Sequence, residues 1–133
     1  MSVLTRDEIL AADDIQTEVV EVPEWAGSVI VQGLTGSERD AFEKTIISNM
    51  DGKGPPKSDL RNFRAKLAAW SIVDEDGKRV FSQADVVALG AKSAAALQRV
   101  FNVAQRLSGL SEEDIEELTK NSEELQSDGS GFD

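Results

Sequence analysis

The chain contains no cysteine and no histidine among its 133 residues. The absence of cysteine excludes disulfides, thiolate metal sites and a cysteine nucleophile, and it fits an intracellular protein. The absence of histidine excludes a Ser-His catalytic triad. Any catalytic or metal site would therefore have to be built from carboxylates, hydroxyls and amines.

Long apolar runs are missing as well. No apolar stretch approaches the roughly 18 residues that a membrane helix needs. The N-terminal sequence MSVLTRDEILAADD also lacks the apolar centre of a signal peptide. We therefore expect a soluble cytosolic protein without a membrane partner.

Basic residues are in the minority, with 14 against 25 acidic ones, and the net charge is −11. The imbalance lies at the two ends: residues 1–24 carry −6 and residues 112–133 carry −8, whereas residues 25–111 carry +3. Acidic ends repel a phosphate backbone, so we expect no nucleic-acid partner. They are either simply solvated, or keep an adhesive protein soluble, or dock a basic partner.

Two β-rich runs stand at the start of the patterned region, Thr17–Val22 and Ser28–Leu34. Pro23 and Gly27 between them have the chemistry of a hairpin loop, so the runs predict an antiparallel hairpin with Val29 and Val31 on one face. Trp25 in the loop is either a lid on the core or an apolar handle for a partner.

Helix signals follow the hairpin. The first predicted helix has two overlapping capping boxes, Thr35 with Glu38 and Ser37 with Asp40, of which only one can be used. Later helix starts are predicted at four serines, namely Ser58, Ser82 (with Asp85), Ser93 and Ser111 (with Asp114). The strongest apolar stripe follows Ser93 and consists of Leu97, Val100, Phe101, Ala104 and Leu107.

These elements predict an α+β fold, with an N-terminal β-hairpin followed by a bundle of four to five short helices, mostly helical and with disordered acidic termini. The domain boundaries we expect are a flexible acidic N-terminus over residues 1–16, a single domain over 17–121 and a disordered tail over 122–133. Several apolar faces are narrow, which suggests that a second copy of the chain completes them.

The motifs that could suggest a metal, catalytic or RNA-binding site are better explained as turns and helix faces. The DEDG stretch from Asp74 to Gly77 fails as a calcium loop because Ile72 and Gln83 would occupy its first and last ligand positions. Paired carboxylates lie in polar segments, whereas general acid–base catalysis needs a carboxyl in an apolar pocket. The bases near Phe63 and Trp70 fit the polar face of an amphipathic helix better than an RNA site. We expect no catalytic residue, no cofactor and no metal.

The acidic segment SEEDIEELTKN is the most suggestive of a partner. Its only large apolar residues are Ile115 and Leu118, so the helix is either frayed or exchanged between this chain and another one. Together with Trp25, these two residues are the candidate partner-binding residues.

Three stretches then suggest a family. They are VPEWAGSVIVQGLTGSERDAFE, WSIVDEDGKRVFSQADVVALG and KSAAALQRVFNVAQRLSGLSEEDIEELTKN, in that order. From about Val19 to Asn121 the chain resembles the tail assembly chaperones of long-tailed (siphovirus-type) bacteriophages. The resemblance lies in the order of these stretches, and no single motif in them is chemically diagnostic.

This resemblance implies a non-enzymatic protein of the infected host cytoplasm that is absent from the mature virion. It would bind the tape measure protein and keep it soluble while tail tube proteins assemble around it. A longer form made by programmed ribosomal frameshifting is also implied. The alternatives are another phage morphogenesis or minor virion component of the head–tail connector type, or a host-directed protein-interaction module.

Overall fold

The computed structural model describes residues 3–48, 57–58 and 62–118. The tail predicted over 122–133 lies outside these residues. The helices are α1 (Arg6–Ala11), α2 (Gly36–Ile46), α3 (Phe63–Ser71), α4 (Val86–Gly90), α5 (Ala94–Leu107) and α6, described over 112–118. The strands are β1 (Thr17–Val22), β2 (Gly27–Gln32), β3 (Ile47–Ser48), β4 (Lys57–Ser58) and β5 (Ile72–Val73).

The predicted hairpin is confirmed: β1 and β2 pair antiparallel, with Val20 opposite Val29 and Val22 opposite Gly27. A third strand, β5, adds to the free side of β2 and gives the order β1-β2-β5. This third strand has only two residues, which is too short for the sequence pattern to predict. A separate two-stranded sheet joins β3 and β4. The α+β class predicted from the sequence is confirmed.

The inner face of the sheet forms one side of the core. Val20, Val22 and Val31 are buried there, while Val19 and Glu21 on the other face of β1 are exposed, as the period of two in a strand requires. Helix α5 packs across β1 and β2 with the apolar stripe predicted for it. Burying that stripe against the sheet stabilises both elements.

The aromatic centre of the core joins three helices. The Phe63 ring lies 5.8 Å from that of Phe42 on α2 and 5.5 Å from that of Phe101 on α5, both tilted. Helix α3 packs against α2, α4 and α5 and carries buried Leu67. The hairpin thus forms a layer on one side of a small helical layer.

Most predicted helix starts are confirmed, and one is wrong. Thr35 caps α2, with its Oγ1 accepting from Glu38 N–H at 3.1 Å, which decides between the two overlapping boxes. Ser58 does not cap a helix, because it lies in β4. Helix α3 begins at Phe63, after Asn62 with a left-handed φ of 55°. The packing of Phe63 sets that start, and asparagine tolerates the left-handed conformation.

Candidate functional site: an apolar groove around Trp25

Trp25 ends a single 3-10 turn, Pro23–Trp25, that joins β1 to β2. The turn closes with Ala26 at a φ of 56°, and the Ala26 N–H donates to the Pro23 carbonyl at 3.0 Å. The indole is half-buried and packs against the core. The indole contacts the core, as a lid would, and is partly exposed, as a handle for a partner would be.

Two cavities of about 560 Å³ and 600 Å³ adjoin Trp25, and Phe81 lines both of them. We call the pair of cavities the Trp25 groove. The first cavity runs along β2 and β5 to the DEDG turn, and the second runs along α4. Concave surfaces of this size with mostly apolar walls are the usual form of a binding site.

The first cavity has an aliphatic wall made by Ile30, Val73 and Val80. Ile30 lies directly opposite Val73 on β5 and opposite Val19 on β1, so a row of apolar side chains crosses the outer face of the sheet. Val19 is 66% exposed and Val80 is 52% exposed. A three-stranded sheet with a polar outer face would place polar residues at these positions.

The second cavity lies between the Trp25 turn and α4, whose Ala88 and Leu89 line it. Helix α4 is positioned by the predicted capping box: the Ser82 N–H donates to Asp85 Oδ2 at 2.9 Å. Beside the cavity, Val87 on the same helix is 75% exposed. The apolar surface therefore extends onto α4.

Two arginines of α5 hold the hairpin that carries Trp25. Arg99 Nε donates to Glu24 Oε1 at 3.0 Å and its Nη2 donates to Glu24 Oε2 at 3.2 Å. These hydrogen bonds lower the pKa of the Glu24 carboxyl. About two turns further along α5, on the same face, Arg106 pairs with Glu18 at 2.6 Å. The acidic hairpin is thus neutralised on the side that faces the helices.

The DEDG turn borders the first cavity. Asp74 Oδ1 accepts from the Asp76 N–H at 2.8 Å and from the Lys78 N–H at 3.0 Å, and Gly77 has a φ of 81°. These bonds account for Asp74 as a turn residue. Within the described residues, no group of three or more carboxylates stands close enough to hold a metal ion.

The other two candidate partner-binding residues lie elsewhere. Leu118 is 4% exposed and belongs to the core, and Ile115 packs against the same core. Helix α6 starts at the predicted box of Ser111 and Asp114, where the Ser111 N–H lowers the pKa of the Asp114 carboxyl. Neither Ile115 nor Leu118 lines the Trp25 groove. Leu118 is buried, whereas Ile115 is partly exposed.

Phe81 and Val80 are among the groove residues that the sequence did not single out. They follow a turn signal in the run VF, which the pattern could not distinguish from a core strand. Their position beside Trp25 depends on β5 joining β2, which brings the DEDG turn to the hairpin loop.

None of the helices in the described part of the chain is long and apolar enough to cross a membrane. No curated protein and no solved structure matches the chain. A family model described as phage tail assembly chaperone matches residues 5–121, which include every element from α1 to α6. The chain therefore belongs to the phage tail assembly chaperone family.

Proposed function

We propose that this chain binds the tape measure protein of its phage, keeps it soluble and assists assembly of the tail tube, and is absent from the mature virion. It would act without catalysis in the cytoplasm of the infected bacterium. Family membership supports the general role in tail assembly. The observation that carries the specific proposal is the apolar Trp25 groove at the surface of the fold.

The physical argument concerns exposed apolar surface. A tape measure protein is long and helical, and before the tube forms it would expose apolar side chains to water. A groove with an indole, a phenyl ring and aliphatic side chains can cover such side chains and remove them from water. The net charge of −11 would then keep the loaded complex dispersed.

We also propose a second contact surface and a longer form of the chain. The exposed Val19, on the outer face of β1, offers area for the tail tube protein or a second copy of the chain. A longer form would arise by frameshifting near Thr119–Asn121. The exposed part of Ile115 would be open to a client on the folded domain, whereas Leu118 would contact a client only after α6 detaches.

Co-expression with the tape measure protein tests the proposal directly. The wild-type chain should move the tape measure protein into the soluble fraction and co-purify with it. Trp25→Ala and Val80→Gln should reduce the co-purified amount several-fold, because each removes apolar area from the groove. Leu10→Ala is the matched control, since Leu10 is 68% exposed but lies on α1, away from the groove.

Two results would contradict the proposal. A tape measure protein that stays insoluble with both the short chain and any frameshifted form would exclude the solubilising role. Stoichiometric amounts of this chain in purified virions would instead indicate a virion component of the head–tail connector type. Circular dichroism of each variant separates loss of binding from loss of folding.

A further inference from the structure

The rim of the Trp25 groove is acidic. Asp74, Glu75 and Asp76 border the first cavity, and the second is bordered by Glu24 and Asp85 against one base, Lys92. The apolar walls of the groove are therefore framed mainly by carboxylates. Residues 25–111 as a whole carry a positive net charge, so this acidic frame is local to the groove.

Not all of these carboxylates are equally available. Glu24 is paired with Arg99, and Asp74 and Asp85 accept hydrogen bonds from backbone N–H groups. Within the described part of the chain, the carboxylates of Glu75 and Asp76 form no hydrogen bond or ion pair. These two side chains are exposed, so their carboxylates can pair with the basic side chains of an incoming partner.

Lys78 and Arg79 of the same turn do not neutralise the negative charge at the rim of the groove. Arg79 is held over the Trp70 ring, with its guanidinium carbon 3.9 Å from the ring centroid, and it pairs with Glu38 at 3.0 Å. Neither Arg79 nor Lys78 lines a cavity of the groove. The turn therefore presents its acidic half to the groove.

We propose that the Trp25 groove selects segments of the tape measure protein in which large apolar side chains are flanked by lysine or arginine. This inference rests on the proposed function and adds the class of segment that is bound. Apolar burial supplies most of the attraction but distinguishes poorly between apolar segments. Complementary charge at the rim supplies the selection, because acid-flanked segments meet like charge there.

The same electrostatics make a second copy of this chain the less favoured occupant. Each copy carries a net charge of −11 and an acidic frame around its own apolar groove. Docking of two such surfaces would bring like charges together at low dielectric. A basic-flanked segment instead neutralises the frame as it binds.

Two fluorescent peptides of identical apolar sequence test the inference with the full-length chain. One carries lysines on both sides of a pair of leucines, and the other carries glutamates at the same positions. Fluorescence anisotropy at low salt should show the lysine peptide binding about tenfold more tightly, as expected for a few exposed ion pairs against the matching repulsions. The ratio should shrink toward unity at about 1 M salt, where charges are screened beyond about 3 Å.

The double variant Glu75→Gln/Asp76→Asn should narrow the preference at low salt to about twofold, because the remaining rim acids are already hydrogen-bonded or paired. Asp13→Asn/Asp14→Asn is the matched control: it removes the same net charge from exposed residues outside the groove and should keep the tenfold preference. Two results would overturn the inference. One is equal affinity of the wild type for the two peptides. The other is an equal loss of preference for the lysine peptide in both double variants.

The co-expression assay keeps this inference separate from the proposed function. If the wild type solubilises the tape measure protein but shows no preference between the peptides, the function stands and the charge selection is wrong. If the peptides are discriminated but the tape measure protein stays insoluble, the groove has the stated preference and the proposed client is wrong.

Discussion

The backbone of Gly33 lies against the carbonyl of Leu107, where β2 ends beneath the end of α5. A Cβ placed on Gly33 would stand 2.5 Å from the Leu107 oxygen and 3.0 Å from its carbonyl carbon. Next to it, the Leu34 N–H donates to Ser108 Oγ at 3.0 Å. The close approach of the Gly33 and Leu107 backbones and the Leu34–Ser108 hydrogen bond therefore set how closely α5 lies on the hairpin that carries Trp25.

Gly33→Ala should destabilise the fold by about 3 kcal/mol, the upper end of the usual cost of overpacking, because the atoms it meets are main-chain atoms that cannot rotate away. Gly36→Ala is the control, since no described atom lies within 4 Å of the added methyl. It should leave stability unchanged or raise it by up to about 1 kcal/mol. Urea denaturation measures both, and equal midpoints would disprove the close approach.

Two capping boxes of the same residue types, Thr5 with Glu8 at α1 and Thr35 with Glu38 at α2, provide a second prediction. Thr35→Ala should cost about 1 kcal/mol of global stability, because the helix it caps buries Phe42 and Ile46. Thr5→Ala removes the same kind of bond from α1, all of whose residues are exposed. It should only fray α1 and leave the global transition in place. A Thr5→Ala loss as large as that of Thr35→Ala would mean that α1 is coupled to the core.

The lowered pKa of Glu38 predicts how the stability of the fold depends on pH. Burial raises this pKa, but the Thr35 N–H and the Arg79 guanidinium together outweigh burial, and the folded-state value lies below the usual 4.5. A lowered folded-state pKa contributes stability at pH above 4.5, and this contribution is lost as the pH falls through the folded value. Glu38→Gln should therefore be less stable than the wild type at neutral pH, and the difference should disappear in acid.

Chemical denaturation of both proteins across the acidic range measures this difference. Glutamine keeps an oxygen that can accept the Thr35 N–H, so the comparison isolates the charge. A difference that stays constant with pH would show that the lowered pKa of Glu38 is not linked to folding.

Leu118→Ala tests how firmly α6 is held. Leu118 is almost fully buried in the core, so truncation should cost about 2–4 kcal/mol. Val87→Ala, at an exposed position of α4, is the matched aliphatic truncation and should change stability by no more than about 0.5 kcal/mol. A small loss for Leu118→Ala would favour the alternative that α6 is frayed and exchanges onto a partner.

The sequence by itself determined the elements whose signals are local. A capping box uses residues three apart, and the apolar stripe of α5 uses one helix, so Thr35, Ser82, Ser93 and Ser111 could be placed without the rest of the chain. The hairpin was equally local, because only the short turn from Pro23 to Ala26 separates its two strands. The family resemblance arose from the order of these same local stretches, and the family model confirms it.

Tertiary structure decided everything that depends on distant partners. The cap predicted at Ser58 failed because Phe63 starts its helix where it meets Phe42 and Phe101, residues far away in sequence. The joining of β5 to β2 brings Val80 and Phe81 to Trp25, and no local pattern encodes that pairing. Trp25 is half-buried, packs against the core and also lines both cavities of the groove. Both contacts of Trp25 depend on how the hairpin, β5 and the helices pack together, and the sequence predicts these elements only one by one.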